Sequence, residues 1–150
     1  MSLLDIMDAI QVHAASAAVT AGGSKFTDVQ VGFLANRGRC VRIFYAGERE
    51  PEHFFPKTLS SGLMAQAIMV RGYWPLSESA PKRHRAMEGE MGAFVDSFRT
   101  AILGDSQLGG ACSDLNMSPA SATQAQITGH NYAIVDLEIV VDYSEYPIAP

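Results

Sequence analysis

Tyr132-Ala133-Ile134-Val135-Asp136-Leu137-Glu138-Ile139-Val140-Val141-Asp142-Tyr143 is a strand written in near-strict alternation close to the end of a 150-residue chain. Successive side chains of a strand leave on opposite sides. Ala133, Val135, Leu137, Ile139, Val141 and Tyr143 therefore share a core face, and Asp136, Glu138 and Asp142 share the face expected to meet water. The segment just before it, 116–128, mixes Ala120, Ala122 and Ile127 with Ser, Thr and Gln. It is expected to pair with the long strand across the turn at Gly129-His130-Asn131.

Upstream of this pair lies the clearest helix. Met87, Met91, Phe94, Val95, Phe98, Ala101 and Ile102 recur at spacings of three and four, which is one helical face. Gly104 ends it. Lys82, Arg83, His84 and Arg85 precede it, and cations at that end oppose the helix dipole. Either the regular helix starts after this basic cluster or the cluster, through Lys82, Arg83 and Arg85, faces an acidic partner; a solvated charge run is the commoner explanation.

The chain opens with another helix. Ser2 followed by Asp5 reads as an N-cap with an acidic residue in the first turn, and Leu3, Ile6, Met7, Ile10, Ala14 and Ala17 follow at helical spacing until Gly22-Gly23. The small residues over 14–21 allow a close neighbour, either the chain's own sheet or another subunit. Between the helices three strands are expected, at 27–34, 39–46 and 62–73. Asn36 and Gly38 between the first two predict an antiparallel hairpin. Gly72, Tyr73 and Trp74-Pro75 predict that the third ends at a sheet edge.

The expected fold is thus α/β (α+β): a single domain over 1–150 with a mainly antiparallel twisted sheet packed against two helices, in the order α-β-β-β-α-β-β. The length suits one core rather than two. A hydrophobic fraction of 47% is globular rather than disordered. The net charge of -5 opposes wrapping of nucleic acid, which needs a clustered cationic excess. Cys40 and Cys112 form no CxxC pair, so reduced, buried thiols are expected. With no basic leader and no run of ~18 apolar residues, the chain is read as cytoplasmic, unprocessed and without a membrane partner.

Motifs that carry chemistry are few. There is no phosphate-binding glycine loop, no GxSxG and no HExxH. The histidines, His13, His53, His84 and His130, are dispersed, so neither a metal nor a cofactor is expected. Asp136 and Glu138 could serve as an acid–base pair, and Cys40 beside Arg39 and Arg42 as an activated thiol. An exposed strand face and a core cysteine are the plainer readings, and the chain is read as a non-enzyme. The segment 47–61 is long enough to carry function. Its Glu48, Arg49, Glu50, His53, Phe54 and Phe55 combine charges with two aromatic anchors, a composition suited to docking; alternatively both rings staple the loop to its own core.

The helix running into Ala101-Ile102-Leu103-Gly104-Asp105-Ser106-Gln107-Leu108-Gly109-Gly110, then a polar strand, then the alternating strand ending Val140-Val141-Asp142-Tyr143, resembles the C-terminal half of tail-terminator proteins of long-tailed bacteriophages. The opening helix, early hairpin and long loop also fit, so the resemblance spans the chain. It implies a virion protein of the tail or neck, made in the host cytoplasm and assembled as a hexameric ring. Such a ring caps the major tail tube protein on one side and meets a head-completion or connector protein on the other, while DNA passes through its lumen unread. Under this resemblance 48–55 would dock on the tube, and Asp136, Glu138 and Asp142 would line the lumen or a subunit interface, where carboxylates repel phosphate. A head-completion, neck or minor tail protein shares much of the pattern. A dimeric assembly chaperone and a small enzyme are the rival readings.

Overall fold

The computed structural model describes residues 2–22, 28–32, 38–50, 65–76, 81–112, 114–127 and 129–142. The order is α1 (Leu3–Gly22), β1 (Asp28–Val31), β2 (Cys40–Arg49), β3 (Ala65–Pro75), α2 (Pro81–Leu103), a 3-10 turn (Leu108–Gly110), β4 (Asp114–Met117), β5 (Ser121–Ile127) and β6 (His130–Asp142). The strands form one mixed, mostly antiparallel sheet in the order β1-β2-β3-β6-β4, with β5 also paired to β6. This is the α+β class expected.

The long alternating strand is β6, and it organises the sheet. β3 lies along one side of it, from Gln66 opposite Val141 to Pro75 opposite Tyr132. β4 and β5 share the other side. Met117 stands opposite Ile139 and Ser121 opposite Asp136, so Ser118, Pro119 and Ala120 face two residues of β6. β4 and β5 are therefore one polar strand broken by a bulge, which tolerates a proline that an unbroken ladder would not. Ser118 N–H still reaches the Glu138 carbonyl, at 2.9 Å. Counted this way, the expected strand order holds.

The core lies between the sheet and both helices. Val41, Ile43, Ile68, Val70, Val135, Leu137, Ile139 and Val141 meet Ile6, Ile10, Ala14, Ala17 and Ala18 of α1 and Met87, Phe94, Phe98 and Ile102 of α2 in one buried cluster. The small residues of α1 thus serve the subunit's own core. Trp74 joins β3 to α2: its ring meets Phe94 edge-on with centroids 5.9 Å apart, and Phe94 stacks on Phe98 at 5.8 Å. Such ring pairs add to simple area burial. The expected cap of α1 is reciprocal, Ser2 N–H donating to Asp5 Oδ2 at 2.8 Å and Asp5 N–H to Ser2 Oγ at 3.2 Å.

Three expectations are corrected. β1 runs parallel to β2, Asp28 opposite Cys40 and Val31 opposite Ile43, so the two strands do not form the expected antiparallel hairpin. Side-chain bonds fix that register. Arg42 Nη2 donates to Asp28 Oδ2 at 2.8 Å and Gln11 Nε2 to the Val29 carbonyl at 2.9 Å, whereas a hairpin centred on 36–37 would set Asp28 near Tyr45. Second, β3 is central, flanked by β2 and β6; Pro75 is tolerated because it is the strand's last residue. Third, α2 begins at Pro81, so the basic cluster lies inside its first turns. Proline at the first helical position has no amide hydrogen to leave unsatisfied.

Candidate functional site

The sheet face away from the helices carries a set of paired charges. Arg42, Arg71 and Asp136 stand in register across β2, β3 and β6. Arg71 Nε donates to Asp136 Oδ1 at 2.6 Å and Nη2 to Oδ2 at 3.1 Å, a two-pronged pair of the strong kind. Asp136 thereby holds the guanidinium even more firmly protonated than usual, and the guanidinium carbon lies 5.3 Å from the Phe44 ring centroid. Arg42 is buried at 2% exposure and holds Asp28. Arg49 Nε reaches across to Glu138 Oε1 at 2.8 Å, a close charge contact that lacks hydrogen-bond alignment, since Oε1 accepts no hydrogen bond.

This face differs from the open carboxylate surface expected. Asp136 and Glu138 are each held by an arginine, and Asp142 is 8% exposed. Their neighbours Tyr132, Ile134 and Val140 are buried as well. They pack sideways against side chains of the adjoining strands, Tyr132 and Ile134 with Cys40 and Tyr73, and Val140 with Ala65 and Ala67. Arg71 and Arg49 thus offset Asp136 and Glu138, while Asp142 adds a further carboxylate to the same face.

Neither rival catalytic group is poised for chemistry. Cys40 is fully buried beside Tyr73, Tyr132 and Ile134. Burial pushes its thiol up to about 11, Arg42 lowering and Asp28 raising it by less. A protonated thiol is a poor nucleophile. The Asp136 carboxylate has both oxygens engaged. Among the described residues no group of three or more His, Cys, Asp and Glu is placed to hold a metal, and no helix is long and apolar enough to cross a membrane.

The proposed docking residues divide. Glu48 and Arg49 belong to β2, opposite Gln66 and Ala65, and Arg49 is turned back onto the sheet toward Glu138. Glu48 and Glu50 are exposed. His53, Phe54 and Phe55 lie outside the described residues. Arg85 is exposed on α2; Lys82 and Arg83 occupy its first turn.

Two surface features on the helix side were not singled out in the sequence. A groove runs between α2 and β5, as two adjoining hollows of about 410 and 380 Å³ that share Glu88, Met91 and Ala122. Gly92, Val95 and Val135 extend it. α1 also turns Leu4, Val12 and Val19 outward. The signal for the second was present as apolar residues spaced eight and seven apart, outside the core stripe. The Leu-Gly-Gly turn that carries the family resemblance is a run of left-handed backbone, φ 48° at Leu108, 67° at Gly109 and 97° at Gly110. It tucks Leu108 into the core, and Gly109 N–H donates to Asp105 Oδ1 at 3.0 Å.

No protein-family model matches the chain, and no curated protein matches it significantly.

Proposed function

We propose that this chain is a structural virion protein of the tail-terminator type, which closes the finished phage tail tube as a homo-oligomeric ring and contributes to the joint with the head. The observation that carries the reading is the unit formed by α2, the Leu-Gly-Gly turn, the bulged β4–β5 strand and the long β6. It is the segment whose order resembles that family, and it folds as one contiguous piece of the sheet and its helix layer. The ion-paired sheet face and the buried thiols suit a scaffold better than a reaction centre. In this role a hexameric ring meets the tube protein on one side and the head-completion protein on the other, with DNA crossing the lumen without sequence readout. In this reading Phe54 and Phe55, which follow Glu48 and Glu50 in the sequence, are the apolar anchor, the kind of residue that dominates docking energy.

The test adds the purified protein to polymerising tail-tube protein encoded in a neighbouring gene and measures tube length by electron microscopy. The expected result is that growth stops at capped ends, and that a variant carrying both Phe54→Ser and Phe55→Ser remains soluble and correctly sized but no longer caps. Tubes that grow unchanged with the wild-type protein present would refute the reading. The groove beside α2, apolar in its half lined by Met91, Val95, Ala120 and Val135, favours one second reading, a dimeric assembly chaperone holding a client; a native mass of two subunits rather than a ring would select it.

A further inference from the structure

β5 presents a sheet edge without the usual safeguards. Among the described residues it pairs only with β6, so its outer side carries a row of backbone N–H and C=O groups with no strand beside them. Such edges are ordinarily blunted by shortness, charge or proline. β1 and β4, which also pair on one side alone, are four residues long and begin with an aspartate. β5 is seven residues long, Ser121 to Ile127, and has neither a charge nor a proline. The bulge at 118–120 lies ahead of it.

The groove beside α2 follows this edge. Ala122 stands opposite Val135 and Gln124 opposite Ala133, and directly opposed residues share a face. Val135 and Ala133 belong to the helix-side core, so Ala122 and Gln124 face α2. The helix runs counter to β5: Met87 meets the hollow at 122–124, whereas Val95 and Asp96 meet the one at Ala120 and Ala122. Met91, Val95, Ala120 and Val135 make the second hollow apolar, and Gly92 adds no side chain to it. The only charged residues lining either hollow are carboxylates, Glu88 in both and Asp96 in the second, and both are exposed. Arg85 and Arg99, a turn beyond them on either side, line neither.

Edge and groove together specify what fits. Extended main chain satisfies an open strand edge along its length, and strand addition of this kind draws its specificity from pockets for alternate side chains. Every second residue of the added strand points to the helix side. Glu88, Gly92 and Asp96 are spaced four apart on α2, which puts them on one flank spanning about 12 Å at ~1.5 Å per residue. Positions i, i+2 and i+4 of a strand span about 13 Å. Three successive helix-side residues of an added strand therefore fall at a carboxylate, at the side-chain-free gap of Gly92 over Val135, and at a second carboxylate. Cations complement the outer two positions and an aliphatic residue the middle one.

We propose that β5 takes a further strand from an extended peptide that carries a cation, an aliphatic residue and a second cation at alternate positions, with the cations at Glu88 and Asp96 and the aliphatic side chain among Met91, Val95 and Val135. The site does not depend on the tail-capping reading, since peptide binding and tube capping are measured separately. The test is fluorescence anisotropy of the full chain with a labelled peptide of sequence TKTVTKT. Saturable binding is expected, weakened at least about tenfold when both lysines of the peptide are replaced by glutamate. The double variant Glu88→Lys, Asp96→Lys, checked for native circular dichroism, should reverse that preference. Backbone pairing is read separately from charge: a strand shows its neighbour only every second N–H, so N-methylation of one alternate set of peptide amides should abolish binding and of the other set should spare it. The proposal is overturned by a full chain that shows no saturable binding, whether a second copy or another segment of the chain holds the edge. Binding indifferent to the charge reversals, or equally affected by both sets of methyl groups, would overturn it as well.

Discussion

Gly72→Ala adds one methyl group, and it should cost more than its size suggests. Gly72 is on the core face of β3, opposite Val41 and Val135. A Cβ there would be driven into Trp74 Cζ3 and would sit 2.7 Å from Cη2. The indole has nowhere to go. It is fully buried, set edge-on to Phe94, and its N–H reaches Glu90 Oε1 at 3.3 Å. Forcing a methyl into a packed core costs about 1–3 kcal/mol, while alanine returns about 0.5–1 kcal/mol by restricting the unfolded chain. The net loss should be about 1–2 kcal/mol, a fall in melting temperature of roughly 2–8 °C for a domain this size. Urea unfolding followed by circular dichroism measures it, read as a lower midpoint at unchanged slope. The cause is isolated in a Trp74→Leu background, where the same methyl should be neutral or stabilising. An equal cost in both backgrounds, or no cost in the wild type, would refute the claim that the indole excludes a side chain at position 72.

Phe98→Ala empties a fully buried site stacked on Phe94 and should cost about 3–5 kcal/mol; a loss below about 1 kcal/mol in the same assay would mean the ring contributes no core packing. Burial pushes the Cys40 thiol up to about 11 and the Cys112 thiol up to about 12. At pH 8 both should resist iodoacetamide in the native protein and react in urea, and rapid native labelling of Cys40 would contradict its placement. The hydrogen bonds from His13 and then from the Gly109 amide hold the Asp105 carboxyl below its usual 3.8. A depressed folded-state value gives stability that is present above about pH 4 and is lost as pH falls through the folded value. Asp105→Asn should therefore lower the melting temperature at pH 6 and approach wild type as the pH falls below about 4; an offset that stays constant on acidification would count against the linkage.

Much of the fold was legible because it rests on local pattern. The alternation over 132–142 named β6 and its core face, the spacing from Met87 to Ile102 named the buried face of α2, and Ser2 with Asp5 named the start of α1. What failed depended on partners distant in sequence. Asn36 and Gly38 are good turn residues, but Asp28 with Arg42 and Gln11 with Val29 decided the direction of β1. Asp136 and Glu138 looked solvent-facing because alternation gives a residue's face without saying what lies across it. Arg71 and Arg49, on other strands, cover them. For the site, the charged and aromatic residues over 48–55 attracted notice by composition, whereas the outward aliphatics of α1 and the groove beside α2 stand out only once the core side of each helix is known.

The 2.9 Å contact between His13 and Asp105 joins residues 92 apart in the chain and sets an order of events during synthesis. α1 leaves the ribosome well before α2 and the turn at Asp105 against which it settles. At about 5–20 residues per second this delay is roughly 5–20 s. Throughout it the nascent chain displays both aliphatic faces of α1, the one destined for its own core and the one facing outward. Shielding by the ribosome surface or a general holdase in that interval would keep those faces from meeting other chains.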